Sequence, residues 1–203
     1  FVLNGKKFQL NTNNNENALH GGNKGFWGKI WNITNQTSGD NPSKTFSLLS
    51  PDLNENYPGE MHVDLTYTLT KKNELKLEYK ATSTEDTIIN LTHHSYFNLD
   101  GHNGSVLNQE MFIDSDKILE TNSENIPTGK FTALSNHDFD FRNPKKCPAS
   151  IDHSFVIEPT NNVVAKLFIS KNNLQMSVHT DQPSVHIYVG GNCFDILKGK
   201  ENA

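Results

Sequence analysis

Apolar and polar residues alternate along much of this chain. Met61, Val63, Leu65, Tyr67 and Leu69 interleave with His62, Asp64, Thr66 and Thr68, which predicts a strand with one buried face. Beyond a turn at Lys71-Lys72-Asn73 the alternation resumes at Leu75, Leu77, Tyr79 and Ala81. Phe46–Ser50, Met111–Ile118, Ile151–Ile157 and Val185–Val189 read as further strands, the last ending at Gly190-Gly191, and Val163–Ile169 and Leu174–Thr180 as a hairpin around Lys171-Asn172-Asn173. Short apolar runs flank Asn4-Gly5, a strong hairpin signal, so Phe1–Leu10 reads as a hairpin too. Pro51–Gly59 reads as a loop, Ile126–Lys130 as a turn and Asp138–Arg142 as short and irregular. No stretch keeps a helical period over three turns. Many short strands joined by turns predict an all-β sandwich or barrel. No linker or repeat breaks the pattern, so residues 1–203 are read as a single domain, long enough for a sizeable core.

Composition narrows the function classes. A net charge of −5 with no basic stripe argues against a nucleic-acid partner. Hydrophobic content is only 34%, and asparagine, roughly one residue in eight, fills the difference as surface loop. Cys147 and Cys193 sit in no metal or redox spacing, which makes a reduced, cytoplasmic protein the expectation. The Asn-x-Ser/Thr sequons at Asn32, Asn35, Asn90 and Asn103 arise easily by chance in so Asn-rich a chain. No signal peptide or membrane span is read, and no membrane partner is expected.

The chain turns on Thr92-His93-His94-Ser95-Tyr96-Phe97-Asn98-Leu99-Asp100-Gly101, closed by a Gly/Asn-rich turn and read as a strand end entering a loop. Adjacent strand side chains face opposite ways, so one histidine is expected to point into a cleft and the other away. Imidazole exchanges protons near neutral pH, which makes this pair a candidate acid/base site. His20, among glycines in Leu19-His20-Gly21-Gly22, is either a turn residue or a ligand contact. Asp152, at a strand start, is either a strand-edge charge or a charged acceptor for a ligand's hydrogen-bond donors. His20, His93, His94 and His153 form no known ligand spacing, and no thiol pair supports them, so a metal site is the weaker alternative, open only if three of them converge in space. The glycine-rich pieces lack the pattern of a phosphate loop, and the scattered aspartates reveal no paired glycosidase carboxylates.

His93-His94-Ser95-Tyr96-Phe97-Asn98-Leu99 resembles the Asn-His-Ser-Tyr-Phe-Asn-Leu signature of the aldose 1-epimerases, the galactose mutarotase family. Phe1-Val2-Leu3-Asn4-Gly5-Lys6 is similar to the family's Phe-x-Leu-x-Gly-Lys hairpin. Leu19-His20-Gly21-Gly22 with Gly25-Phe26 and Trp31 resembles its Leu-His-Gly-Gly block, and Ser50-Pro51-Asp52 through Tyr57-Pro58-Gly59 its Ser-Pro-Asp-Gly…Tyr-Pro-Gly loop. Pro127-Thr128-Gly129, Asp140-Phe141-Arg142, Asp152-His153 and Gln182-Pro183 recur in family order. The resemblance implies a large twisted antiparallel β-sandwich of galactose mutarotase-like fold. It implies interconversion of the α and β anomers of free aldoses such as galactose and glucose, without a cofactor. It makes His94 the general acid at the ring oxygen, His20 and Asp152 holders of sugar hydroxyls, and Trp27 a candidate cleft aromatic.

The family's general-base Glu, in a Leu-Glu-Thr-Gln-like segment, and the Asn-Arg pair before its first hairpin have no counterpart here, so the sandwich is expected to be incomplete at both ends. His93 stands for Asn, and His186 stands where the family often has a sugar-binding Gln; no role is assigned to it. An incomplete sandwich would expose edges and apolar surface, favouring poor solubility or pairing with a complementary chain or a second copy. A non-catalytic carbohydrate-binding protein is the alternative reading. An epimerase-like protein for a phosphorylated sugar is weaker, since Arg142 is the one arginine.

Overall fold

The computed structural model describes residues 1–101, 104–158 and 162–190. It divides into two compact units, Phe1–His94 and a second beginning at Ser95. Within each unit every strand pairing among the described residues is antiparallel, and helix among the described residues is limited to single 3-10 turns. None is long and apolar enough to cross a membrane. Gly191 and Cys193, and the sequon at Asn103, lie outside the described residues.

The first unit opens with the expected hairpin, β1 (Val2–Leu3) and β2 (Lys6–Lys7), turned by Asn4 and Gly5 at φ 50° and 75°. Positive φ at both central residues is the geometry that favours Asn-Gly there. Its sheet is a meander of β3 (Asn32–Thr37), β4 (Ser43–Ser50), β5 (Met61–Leu69) and β6 (Leu75–Ser83), paired in chain order. Met61 and Val63 of β5 and Leu48 of β4 are buried, whereas Leu69, Leu75 and Tyr79 are exposed, so β6 alternates without burying a face. The pattern did not predict β3, whose one apolar residue is Ile33. Hydroxyl pairs hold it to β4 instead: Thr34 Oγ1 to Ser47 Oγ at 2.6 Å and Thr37 Oγ1 to Ser43 Oγ at 2.8 Å. Residues 87–98 form no strand, contrary to the strand end expected at His93-His94. Strand geometry needs a neighbour to take its backbone groups, and none of the described ladders includes this segment.

The second unit contains β7 (Glu110–Ile113), β8 (Lys117–Thr121), β9 (Pro127–Ala133), β10 (Lys145–Lys146), β11 (Asp152–Val156), β12 (Ala165–Ile169), β13 (Leu174–Val178) and β14 (Ser184–Tyr188). They form two four-stranded sheets, β10-β7-β12-β13 and β14-β11-β8-β9. Met111, Ile113 and Ala165 from the first sheet share one buried cluster with Ile118 and Phe155 from the second, joined by Leu134, Phe141 and Cys147. Burial pushes the Cys147 thiol up to about 11.

Two expectations fail in this unit. Met111–Ile118 is not one strand but the end of β7 and the start of β8, in different sheets. The chain switches sheets at Asp114-Ser115-Asp116, where the buried Ser115 hydroxyl is shared between the Lys117 carbonyl (2.8 Å) and the Val156 carbonyl (2.7 Å). Ile126–Lys130 is not a turn. Asn125, at φ 61°, closes the turn earlier through its N–H to the Asn122 carbonyl, and Pro127 begins the edge strand β9. An edge strand's first residue is where proline costs no ladder hydrogen bond.

Candidate functional site

In the first unit His20 sits on a loop with an unusual backbone. His20, Gly21 and Gly22 have φ of 53°, 80° and 97° in succession. A left-handed conformation costs a residue with a Cβ roughly 1–2 kcal/mol, so the surrounding structure must hold His20 there. Two polar side chains do so. Asn13 accepts from the Leu19 N–H (2.7 Å) and donates to the Leu19 carbonyl (2.9 Å). Beyond the glycines, the Glu55 carboxylate accepts from the backbone N–H of Asn23 (3.0 Å) and Lys24 (2.9 Å) and from the Asn11 amide (3.1 Å). It lies so close that a Cβ on Gly22 would come within 2.3 Å of Glu55 Oε2 and displace the carboxylate, and the φ of 97° at that position favours glycine independently.

These donors, the Asn11 amide foremost, hold the Glu55 carboxyl below its usual 4.5. A depressed carboxyl stabilises the folded loop in full above the ordinary value, and loses that contribution as the pH falls through the folded one. We therefore expect the Asn23 and Lys24 amide resonances to titrate together with a midpoint below 4.5, and to stop doing so in Glu55→Gln. Amides that ignore both acid and the substitution would show that Glu55 does not hold the loop.

The ring of His94 meets that of His20 edge-on, centroids 5.4 Å apart at 86°. His93 is partly buried and packs on Tyr67 instead, centroids 5.7 Å apart, so the adjacent histidines do take different neighbours. Trp27, 70% exposed, stands on the 3-10 turn Phe26–Gly28.

The second unit carries the rest of the signature and Asp152. Asn98 is a staple: its Oδ1 accepts from the Asp100 N–H (3.0 Å) and from Gln109 Nε2 (2.6 Å), and its Nδ2 donates to the Gly104 carbonyl (2.8 Å). Gln109, fully buried, also accepts from the Leu99 N–H. Tyr96 packs against Tyr188 at 6.0 Å.

Asp152 opens β11 opposite Tyr188, and two residues on Ser154 lies opposite His186 of β14. His186 bridges them: Nε2 is 2.9 Å from Asp152 Oδ1 and Nδ1 is 2.9 Å from Ser154 Oγ. His153 takes the other face, against Phe139 at 5.1 Å, with its Nδ1 buried and unbonded. Burial outweighs the neighbouring Asp152 carboxylate and lowers its pKa below 6.5.

His20 and His94 are thus brought together in the first unit, while Asp152 lies in the second with His186 and Ser154. The residue pattern singled out neither Glu55 nor Ser154. Glu55 is one acid in a turn-rich loop, and Ser154 gains meaning only from strand register. Among the described residues no group of three or more His, Cys, Asp or Glu side chains could hold a metal ion. Open depressions of about 520 Å³ beside Tyr67, Leu69 and Leu75 and about 360 Å³ beside Phe112, Arg142 and Lys166 include none of His20, His94 and Asp152. Arg142 is itself engaged. Its Nε and Nη2 donate to Asp140 at 2.9 and 2.6 Å, and this pairing holds the Asp140 carboxyl down at about 2.

A family model described as aldose 1-epimerase matches residues 1–200. The galactose mutarotase of Bos taurus is 35% identical over 214 residues, covering all of this chain and 61% of its own length, and the aldose 1-epimerase of Haemophilus influenzae is 34% identical, covering 94% and 59%. Among solved structures, the GalM/aldose epimerase homologue from C. elegans superposes with a TM-score of 0.86 at 26% identity, over 98% of this chain and 62% of that one. The galactose 1-epimerase from Lactobacillus acidophilus gives 0.85 at 25% identity, over 96% and 60%. The chain spans about three-fifths of the length of the curated relatives it matches.

Proposed function

From the premise that this chain belongs to the aldose 1-epimerase family, we propose that the protein is a mutarotase, interconverting the α and β anomers of free aldohexoses such as galactose and glucose. A base removes the proton from the anomeric hydroxyl. The C1–O5 bond breaks with its electron pair passing to the ring oxygen, and His94, as imidazolium, protonates that oxygen. The open aldehyde rotates about C1–C2. Reclosure on the other face returns the proton to His94 and restores the hydroxyl at C1. His20 and Asp152 hold sugar hydroxyls, Asp152 as a charged acceptor. The base is assigned to no residue of this chain. Both units are taken as parts of one epimerase-like domain, which the family match across residues 1–200 supports. The same reading has the protein work in the cytoplasm, on a monosaccharide and without a cofactor.

The observation that carries the reading is the His20–His94 ring contact on a loop held in a left-handed conformation. Polarimetry of freshly dissolved α-galactose and α-glucose tests it. The approach to equilibrium rotation is expected to accelerate in proportion to protein concentration, and Asp152→Asn is expected to lose at least about tenfold in kcat/KM. Rotation that relaxes at the buffer rate for both sugars would refute the reading.

A further inference from the structure

We infer that His186 is a positioning residue, which fixes the Asp152 carboxylate so that one of its oxygens is held ready for a sugar hydroxyl; the substrate in this statement rests on the function proposed above. Three side chains on two paired strands make the arrangement. Asp152 and Ser154 are two apart on β11 and so share a face, and His186 lies directly across from Ser154 on β14. Both ring nitrogens are used, at 2.9 Å to Asp152 Oδ1 and 2.9 Å to Ser154 Oγ.

One proton arrangement satisfies all three groups with a neutral ring. Ser154 Oγ–H donates to Nδ1, and Nε2–H donates to Asp152 Oδ1. Asp152 Oδ1 is then occupied, while Oδ2 makes no hydrogen bond within the described residues and is free to accept from outside. Without the ring, the carboxylate can turn about Cβ–Cγ and present either oxygen in any direction. Fixing its rotamer is what a second residue contributes to a binding carboxylate.

Stability does not account for the arrangement. The His186 side chain is 53% exposed and that of Asp152 35%, and polar contacts this open to water add little to folding, whether or not the ring is charged. Acyl transfer does not account for it either, although a serine, a histidine and an aspartate in this order can serve that chemistry. Ser154 lies in the middle of β11, paired along Asp152–Val156 with β14, and not at a sharp turn or helix start where free backbone N–H groups gather around an oxyanion.

The test uses His186→Leu, His186→Gln and Asp152→Asn in the protein, with two readouts. In mutarotation kinetics, His186→Leu is expected to raise KM about tenfold or more while kcat stays within about threefold. His186→Gln, whose amide N–H still reaches the carboxylate, is expected to bring KM back to within about threefold of the parent. A His186→Leu variant with unchanged KM, in a protein that Asp152→Asn impairs, would overturn the inference and leave the proposed function standing.

The second readout does not need activity. The imidazole ¹⁵N spectrum is expected to show His186 protonated at Nε2, with its signals moving in Asp152→Asn. Signals indifferent to Asp152→Asn would overturn the inference even if no sugar proved to be a substrate. Signals that move in a protein without mutarotase activity would uphold the His186–Asp152 pairing while the proposed function fell.

Discussion

Replacing His94 with glutamine is expected to lower kcat for mutarotation by about 10²–10⁴, the usual contribution of a positioned acid or base. Glutamine still hydrogen-bonds but cannot deliver a proton to the ring oxygen as the C1–O5 bond breaks, so kcat should fall far more than KM rises. His93→Gln supplies the control. That ring packs on Tyr67 and turns to a different neighbour from His94, so its loss should leave kcat within about threefold. Polarimetry with saturating α-galactose measures both variants. Equal kcat for His94→Gln and the parent would place the acid elsewhere, and equal losses for the two variants would mean that the segment's conformation, not the His94 proton, had been disturbed.

Phe155→Ala is expected to destabilise the second unit by about 3–5 kcal/mol, the range for truncating a fully buried aromatic. Phe155 has no exposed surface and stands on β11, flanked by β14 and β8, with the Phe141 ring 6.3 Å away. Truncation removes the apolar transfer term and leaves a cavity where both sheets contribute side chains. Typical domains have only about 5–15 kcal/mol in hand, so the loss is a large fraction of the total. Phe155→Leu, which keeps most of the volume, should cost clearly less. Urea unfolding followed by tryptophan-independent far-UV signal reads both. A shift under about 1 kcal/mol for Phe155→Ala would mean the cluster tolerates the void or collapses into it. The same strand carries Asp152 and Ser154 on its accessible face, so the core beneath β11 also sets the register on which the His186 contacts depend.

How much of this was legible beforehand depended on whether the deciding force was local. β5 is Met61–Leu69, as the alternation predicts, because a period of two is written in consecutive residues, although only Met61 and Val63 of its apolar face are buried. The Asn4-Gly5 hairpin is likewise a local matter of backbone dihedrals. β3 has no such record: Asn32–Thr37 becomes a strand because β4 offers an edge and matching hydroxyls. At Met111–Ile118 the apolar pattern runs on through the corner at Ser115, so the change of sheet leaves no trace in periodicity. At Pro127 the turn chemistry pointed to the wrong residues, since proline also suits the start of an edge strand. His20, His94 and Asp152 stood out through the motifs around them. Glu55 lies 35 residues from His20 and Ser154 lies 32 from His186, and only the folded chain shows what each of them touches.

The two strand orders carry a consequence for how the chain is made. In the first unit β3, β4, β5 and β6 pair strictly with their neighbours in sequence, so each strand can dock as soon as it leaves the ribosome. In the second unit β7 pairs with β10 and β12, and the core-side neighbour of β8 is β11. Those two strands emerge early, with Met111, Ile113 and Ile118 exposed, and must wait for residues 145–169 before the sheets can close over them. Pairings that span long loops form slowly and leave apolar strands uncovered meanwhile. The interval between the synthesis of β8 and that of β12 is therefore a time when a nascent chain carries uncovered apolar strands that a chaperone would shield.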